Sequence, residues 1–319
     1  MENKRVLGQS DLEIVPIIFG GNVFGWTLNE VQSFEILDSF LDKGFNAIDT
    51  ANNYSHWVPG NKGGESEAII GNWLKERGNR DKLVIMTKVG GRFGYDTKPN
   101  TKATYIKEQV ELSLNRLKTD YIDLYQTHYD DETTAIEETL RAYEDLIKEG
   151  KVKYIGASNI KTERLKESLE ISAQHNLPKY ISLQPEYNLY DRENYEKNYL
   201  SLVLENNLAV IPYYSLASGF LSGKYLSDDD FAKSARGEGI QKRYWNERGQ
   251  RIVAALNEVA NAYRTTASSV ALAWLLAQES ITAPIASATK ESHLEAFQAA
   301  LQIRFGEDAI QKLNEASEY

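Results

Sequence analysis

From residue 17 almost to its end, the chain alternates short runs rich in apolar and β-branched residues with longer amphipathic stretches. A strand followed by a helix returns to pair with its predecessor through a crossover, which makes neighbouring strands parallel. Eight candidate strands are legible: Ile17–Gly20, Phe45–Asp49, Leu83–Val89, Tyr121–His128, Val152–Ser158, Tyr180–Gln184, Leu208–Tyr213 and Ile281–Ala286. Between them, stretches such as VQSFEILDSFLDKG and TAIEETLRAYEDLIKEG repeat apolar residues at intervals of three and four, the period of a helix with one buried face. Several of these stretches stop at a glycine, Gly44, Gly78 or Gly150, as helix C-termini often do. With no Pro/Gly/Ser-rich linker and no break in composition, eight such units predict one α/β domain over residues 1–319, a (β/α)8 TIM barrel, in preference to two doubly wound domains.

Three segments fall outside the alternation. Arg5–Pro16 has two short extended runs around a turn at Gly8–Asp11 and predicts an N-terminal β-hairpin. Leu216–Asn246 is a long loop after strand seven, of the kind that in compact domains is usually functional. Lys290–Leu301 and Glu307–Ser317 predict C-terminal helices.

Charge and composition narrow the function classes. Lys and Arg number 36 against 46 Asp and Glu, a formal charge of −10, which disfavours nucleic acid and anionic membrane as partners. An anionic ligand then needs a local basic pocket. There are no cysteines, so disulfides, thiolate catalysis and zinc-thiolate sites are excluded and no metal is expected. No apolar run reaches the roughly 20 residues needed to span a bilayer, and the polar opening MENKRVLGQS is unlike a signal peptide, so a cytoplasmic protein is expected. The sequence carries no signal for an oligomeric state.

Polar residues at the C-terminal ends of barrel strands converge on one mouth, where such folds keep their chemistry. Asp49 ends strand two, Lys88 lies at the end of strand three and His128 ends strand four, with Tyr54 five residues beyond Asp49. A phenol, with a pKa near 10, is a poor acid at neutral pH unless a neighbouring cation stabilises its anion. Lys88 can supply that cation and Asp49 its counter-charge, while His128 can hold a substrate oxygen or relay a proton. Such a set suits carbonyl reduction, in which an alkoxide must be protonated. Taken singly each residue has an ordinary reading: a turn cap, a solvated rim lysine, a buried histidine, one of 19 tyrosines. Their joint appearance at successive strand ends is what selects them.

These residues sit in motifs that resemble the aldo-keto reductase family along nearly the whole chain. The resemblance is carried by GFNAIDTANNY (Gly44–Tyr54), TKVG (Thr87–Gly90), DLYQTH (Asp123–His128), GKVKYIGASN (Gly150–Asn159), QPEYN (Gln184–Asn188) and PYYSLASGFLSGKY (Pro212–Tyr225). It implies a (β/α)8 barrel that reduces aldehydes and ketones with NADPH through an Asp, Tyr, Lys and His tetrad, here Asp49, Tyr54, Lys88 and His128. It implies that Ser158, Asn159 and Gln184 hold the nicotinamide carboxamide and that Tyr213 stacks on its ring, the other reading of Tyr213 being a core aromatic. Leu216, Ser218 and Gly219 match the loop around the pyrophosphate, with Lys224 as a further charge, and Gly21 and Asn22 match positions that touch the cofactor.

At the adenosine end the chain departs from the family pattern. Ala286, Ser287, Ala288, Thr289 and Lys290 replace the usual proline-glycine turn and basic residue, and Ala296 and Phe297 stand where Glu and Asn are common. Ser287, Thr289 and Lys290 can still meet a phosphate at a helix N-terminus. The expected cofactor is NADP(H), with NAD(H) as the other candidate. Phe24, Trp26, Trp57 and Tyr129 are expected at the rim of the mouth, suited to a small-molecule carbonyl substrate with an apolar body, or else to packing the loops. A cofactor-binding regulatory role like that of potassium-channel β subunits is the alternative, and a barrel glycosidase using Asp49 with Glu65 or Glu186 leaves Lys88 and Tyr54 without a task.

Overall fold

The structure, a computed structural model, describes residues 4–94, 97–233 and 237–319. The chain begins with the expected hairpin, β1 (Arg5–Val6) paired antiparallel with β2 (Glu13–Ile14). Gly8 turns between them at φ +55, so close to Ile181 that a Cβ would lie 2.2 Å from that residue's carbonyl oxygen, and only glycine fits. Leu7, Leu12 and Ile14 thereby join Ile18, Val84, Met86, Leu124 and Ile181 in the inner core and plug the N-terminal end of the barrel.

Eight parallel strands follow: β3 (Ile18–Gly20), β4 (Ala47–Asp49), β5 (Val84–Val89), β6 (Ile122–Thr127), β7 (Val152–Ser158), β8 (Tyr180–Gln184), β9 (Ala209–Val210) and β10 (Ile285–Ala286). They pair in chain order and β10 returns to β3. The remaining seam is held by a Val210–Ile281 bridge and by the Ile285 N–H donating to Pro212 O at 2.9 Å, which brings the sheet round into a barrel. The last two strands are shorter than expected because Pro212 and Pro284 have no N–H to offer a ladder.

The crossover helices are α1 (Glu30–Asp42), α2 (Glu65–Arg77), α3 (Ala103–Leu117), α4 (Ile136–Lys148), α5 (Thr162–His175) and the short pair α6 (Glu193–Asn198) and α7 (Leu200–Glu205). After β9 come α8 (Gly237–Tyr244), α9 (Glu247–Ala262) and α10 (Ala267–Leu276), and after β10 come α11 (Glu291–Gln302) and α12 (Glu307–Ala316). The expected loop Leu216–Asn246 holds two 3-10 turns and α8, while its residues 234–236 lie outside the described residues. Among the described residues, no helix is long and apolar enough to cross a membrane.

Strands β5 and β6 are buried on both faces, the polar residues of β6 included. Alternation along β5 turns Ile85 and Val89 outward under the helices and Met86 inward, so Lys88 also points inward, in register with Gln126 of β6. The polar inward positions come at the C-terminal ends of the strands, on the side away from the hairpin.

Candidate active site

Asp49, Lys88 and Tyr54 meet at this mouth. The Lys88 ammonium donates to Asp49 Oδ2 at 2.5 Å, to Thr50 O at 2.8 Å and to the Tyr54 hydroxyl oxygen at 2.9 Å. The lysine side chain is fully buried and that of Asp49 is 2% exposed. Such a pair survives burial only when its remaining hydrogen-bonding capacity is met. Asp49 Oδ1 accepts from Gln126 Nε2 at 2.9 Å and from Gln184 Nε2 at 3.1 Å, and Gln184 Nε2 also lies 3.1 Å from Gln126 Oε1. Gln126 was not among the residues selected from the sequence. Its signal was present in DLYQTH, where a polar side chain two positions after Leu124 faces the same interior.

Tyr54 stands on a loop that the fold holds tightly. Ser55 Oγ donates to Phe24 O at 2.6 Å, Asn61 Nδ2 donates to Gly25 O at 3.0 Å, and Asn53 Nδ2 donates to Arg92 O at 2.7 Å. Because the phenol oxygen accepts from Lys88, its own hydrogen is left to be donated elsewhere. The expectation that Lys88 acidifies this phenol is not met. Burial, then the charge of Asp49, pushes the Tyr54 pKa well up. Burial also lowers the Lys88 pKa, against the opposing pull of Asp49. Tyr54 therefore keeps its proton across the neutral range.

His128 lies one residue past β6, its ring 5.9 Å from that of Tyr54. Its backbone N–H donates to Val89 O at 2.7 Å and its carbonyl accepts from Asn159 Nδ2 at 2.9 Å. Burial, then Lys88 and His56, pushes its imidazole well below the usual range, so it is neutral at pH 7.

A second polar group faces the first across the mouth. A bulge between Ile155 and Gly156 sets Ser158 opposite Gln184, and Ser158 Oγ donates to Gln184 O at 2.9 Å. Asn159 sits at φ +44, a left-handed conformation that asparagine tolerates. Its Oδ1 accepts from the Tyr213 hydroxyl at 3.0 Å, which joins strands seven and five across the opening. Tyr213 is half-buried and lies just past β9, bridged to Glu186.

The loop after Tyr213 is strained. Tyr214, Ala217 and Ser218 take φ of +53, +48 and +58, followed by Gly219 at +99. For residues other than glycine, each such position costs about 1–2 kcal/mol. Lys224 is exposed, and its ammonium lies 3.9 Å from where a Cβ on Gly219 would be. Ser287 Oγ lies 2.7 Å from both Gly20 O and Asn22 Oδ1, which gathers Gly21, Asn22 and Ser287 at the β3–β10 seam. Lys290 is the N-cap residue of α11 and is exposed, while the Thr289 N–H donates to His293 Nδ1 at 3.2 Å. Desolvation, then the charges of Lys290 and Lys224, lowers the His293 pKa. These two lysines and Thr289 thus gather around a histidine that was not selected from the sequence.

At the rim, Trp26 and Trp57 meet edge to face at 5.6 Å, and Trp57 packs on Tyr54 at 6.0 Å. Tyr129 lies 4.9 Å from the His128 ring. Phe24 is a correction: it is fully buried and stacks on Phe19 at 5.2 Å, because the turn at Gly21–Val23 directs it beneath the rim into the outer core.

The model of the Aldo/keto reductase family matches residues 16–318. An aldo-keto reductase of Bacillus subtilis, YhdN, is 32% identical over 289 residues, covering 87% of this chain and 80% of that protein. The uncharacterized oxidoreductase YqkF of the same organism is 34% identical over 316 residues, covering 97% and 95%. Norsolorinic acid reductase B of Aspergillus parasiticus is 28% identical over 325 residues, covering 97% and 82%.

Proposed function

The chain belongs to the aldo/keto reductase family, and from that premise we propose that it reduces an aldehyde or ketone to an alcohol with NADPH, the proton coming from Tyr54. The observation that carries this reading is the buried Asp49–Lys88–Tyr54 array, in which the Lys88 ammonium donates both to Asp49 and to the Tyr54 hydroxyl oxygen. A carbonyl oxygen placed between Tyr54 and His128 would accept a hydrogen bond from the phenol. As the oxygen takes the proton, Lys88 already donates to the phenolate that is left, so the charge forms where a cation stands ready. The aromatic rim of Trp26, Trp57 and Tyr129 suits a substrate with an apolar body.

When bound, the dihydronicotinamide supplies the hydride. Ser158, Asn159 and Gln184 would hold its carboxamide, Gln184 Oε1 accepting no hydrogen bond among the described residues, while Ser158 and Asn159 would exchange present bonds to Gln184 O and His128 O for it. Tyr213 would pack on the ring. Leu216, Ser218 and Gly219 would wrap the pyrophosphate, on a loop strained at Tyr214, Ala217 and Ser218, as backbone at ligand sites often is. Gly21, Asn22, Ser287, Thr289, Lys290 and Lys224 would take the adenosine end and its phosphate. One domain over residues 1–319, working in the cytoplasm on a small molecule, completes the proposal. Loss of absorbance at 340 nm with NADPH and an activated aromatic aldehyde tests it. NADPH binding without turnover across aldehydes and ketones would instead favour a regulatory, cofactor-sensing role.

A further inference from the structure

Arg92, just past β5, has no task in the proposed chemistry, yet the fold fixes where it stands. Its carbonyl accepts from Asn53 Nδ2 at 2.7 Å. Gly91 before it runs so close to its neighbours that a Cβ would lie 2.6 Å from His128 Nδ1 and 2.7 Å from Asn53 Nδ2. After it, the Phe93 N–H donates to Thr97 Oγ1 at 2.8 Å and the Phe93 ring lies 6.3 Å from that of His56. The arginine side chain therefore leaves a backbone pinned beside His128. Its exposed guanidinium carbon stands 6.0 Å from the Tyr129 ring centroid, and that ring is 4.9 Å from His128. Burial, then Tyr214, raises the Tyr129 pKa, and the first charge opposing them is Arg92, ahead of Lys88. Lys88 is engaged with Asp49, and Arg243 with Glu186 at 2.6 Å and Asp191 at 3.0 Å. Among the described residues, the Arg92 guanidinium meets neither a carboxylate nor a hydrogen-bond acceptor, on a chain where acidic residues outnumber basic ones by 46 to 36.

We propose that Arg92 is a specificity-determining residue and that the preferred carbonyl substrates carry a carboxylate, which meets the Arg92 guanidinium at the rim while the carbonyl oxygen lies at Tyr54 and the apolar body along Tyr129. The inference rests on the proposed carbonyl reduction and names its substrate class. A guanidinium offers its donors in a planar fork that fits a carboxylate. The overall charge of −10 repels an anion, so its selection has to come from a local cation such as this one. Arg92 stands off the reacting atoms, so its effect falls on binding and leaves the proton transfer alone.

Two aldehydes separate charge from shape: para-carboxybenzaldehyde, and its methyl ester, which keeps the body and loses the charge. Arg92→Gln is expected to lower kcat/KM for the acid about threefold to tenfold, between the effect of an exposed ion pair and that of a charge-assisted hydrogen bond. The loss should come through KM with kcat kept, and the ester should be unaffected. Added salt should erode the acid's advantage in the wild type and leave the variant unmoved. An Arg92→Gln variant with the wild-type ratio of acid to ester overturns the inference, and so does one that loses equally on both, which would make the arginine a support of its loop. Binding of the alcohol products, para-(hydroxymethyl)benzoate and its methyl ester, to the enzyme with NADP+ gives the same comparison without turnover, read by the fluorescence of Trp26 and Trp57 at the rim. A chain that reduces neither aldehyde sinks the proposed function. Even then, an acid preference in Kd that vanishes in Arg92→Gln upholds the carboxylate site, and equal Kd values for acid and ester in the wild type overturn it.

Discussion

At the scale of single residues, the Asp49–Lys88 pair makes the mutational consequences asymmetric. Tyr54→Phe removes only the proton donor, so carbonyl reduction should fall by roughly 100-fold to 10,000-fold with cofactor affinity retained. Stopped-flow reduction of the best aldehyde, alongside fluorescence titration of the cofactor, checks both halves, and a wild-type rate would refute the role. Lys88→Met is different, because it leaves Asp49 buried beside Gln126 and Gln184 with no cation. Breaking a buried pair in this way typically destabilises by about 3–5 kcal/mol. Activity loss in that variant alone is therefore ambiguous. The double variant Asp49→Asn/Lys88→Met should recover much of the urea midpoint while remaining inactive. A double variant that regains activity along with stability would show that the lysine serves only the fold. These residues were legible because each closes a strand, and the strands were legible. Gln126 was hidden in a quoted motif, because one glutamine in an apolar run does not announce which face it takes until the register with Lys88 is known. The direction of the phenol's shift was not legible for a related reason: sequence names the cation and its counter-charge Asp49, while only the fold shows the burial that raises the Tyr54 pKa.

At the scale of elements, the barrel was readable because parallel strands covered on both faces give apolar runs, and crossover helices give a clean period. Most boundaries shifted by a residue or two, and the largest shifts fall where prolines thin the ladder, at Pro212 and Pro284. Phe24 shows the limit for loops, since an aromatic after a strand carries no period to tell rim from core. Helix packing, too, is invisible in the pattern alone. Gly71 looks like an ordinary flaw inside α2, yet a Cβ there would lie 2.0 Å from Arg116 O of α3. The two helices approach closely at this point, beside the buried Glu67, which accepts from Arg116 Nε at 2.7 Å and from Thr87 Oγ1 at 2.5 Å. Thr87 adjoins Lys88, so this contact also supports the strand that carries the lysine. Gly71→Ala should raise helix propensity by about 1 kcal/mol and yet destabilise the protein, since overpacking costs about 1–3 kcal/mol and here the obstacle is backbone. A lower urea midpoint checks the sign, and a higher one would mean that α2 slides along α3 without penalty.

At the scale of the whole molecule, the question is how a chain of net charge −10 holds a polyanionic cofactor. The long-range field opposes it, so binding has to come from local donors and charges. Lys224 and Lys290 are brought close enough together for both to depress His293, which marks a basic corner on an acidic protein. NADPH differs from NADH by one phosphate, and that corner is where the phosphate would be met. A charge-assisted hydrogen bond is worth about 1.5–3 kcal/mol, so Lys290→Ala should weaken NADPH binding about tenfold or more and leave NADH nearly unchanged. Thermal unfolding reads this for the intact protein, because a ligand at 100 times its Kd adds about 2.7 kcal/mol of stability. At equal concentrations NADPH should raise Tm more than NADH in the wild type, and the difference should shrink in Lys290→Ala. Added salt should shrink it as well, since an exposed lysine is screened within about 10 Å at 0.1 M ionic strength. Equal losses for both cofactors in Lys290→Ala would place the lysine's effect on a part of the site that they share. Equal wild-type shifts would make the chain a reductase that accepts either cofactor, with the basic corner left to other work.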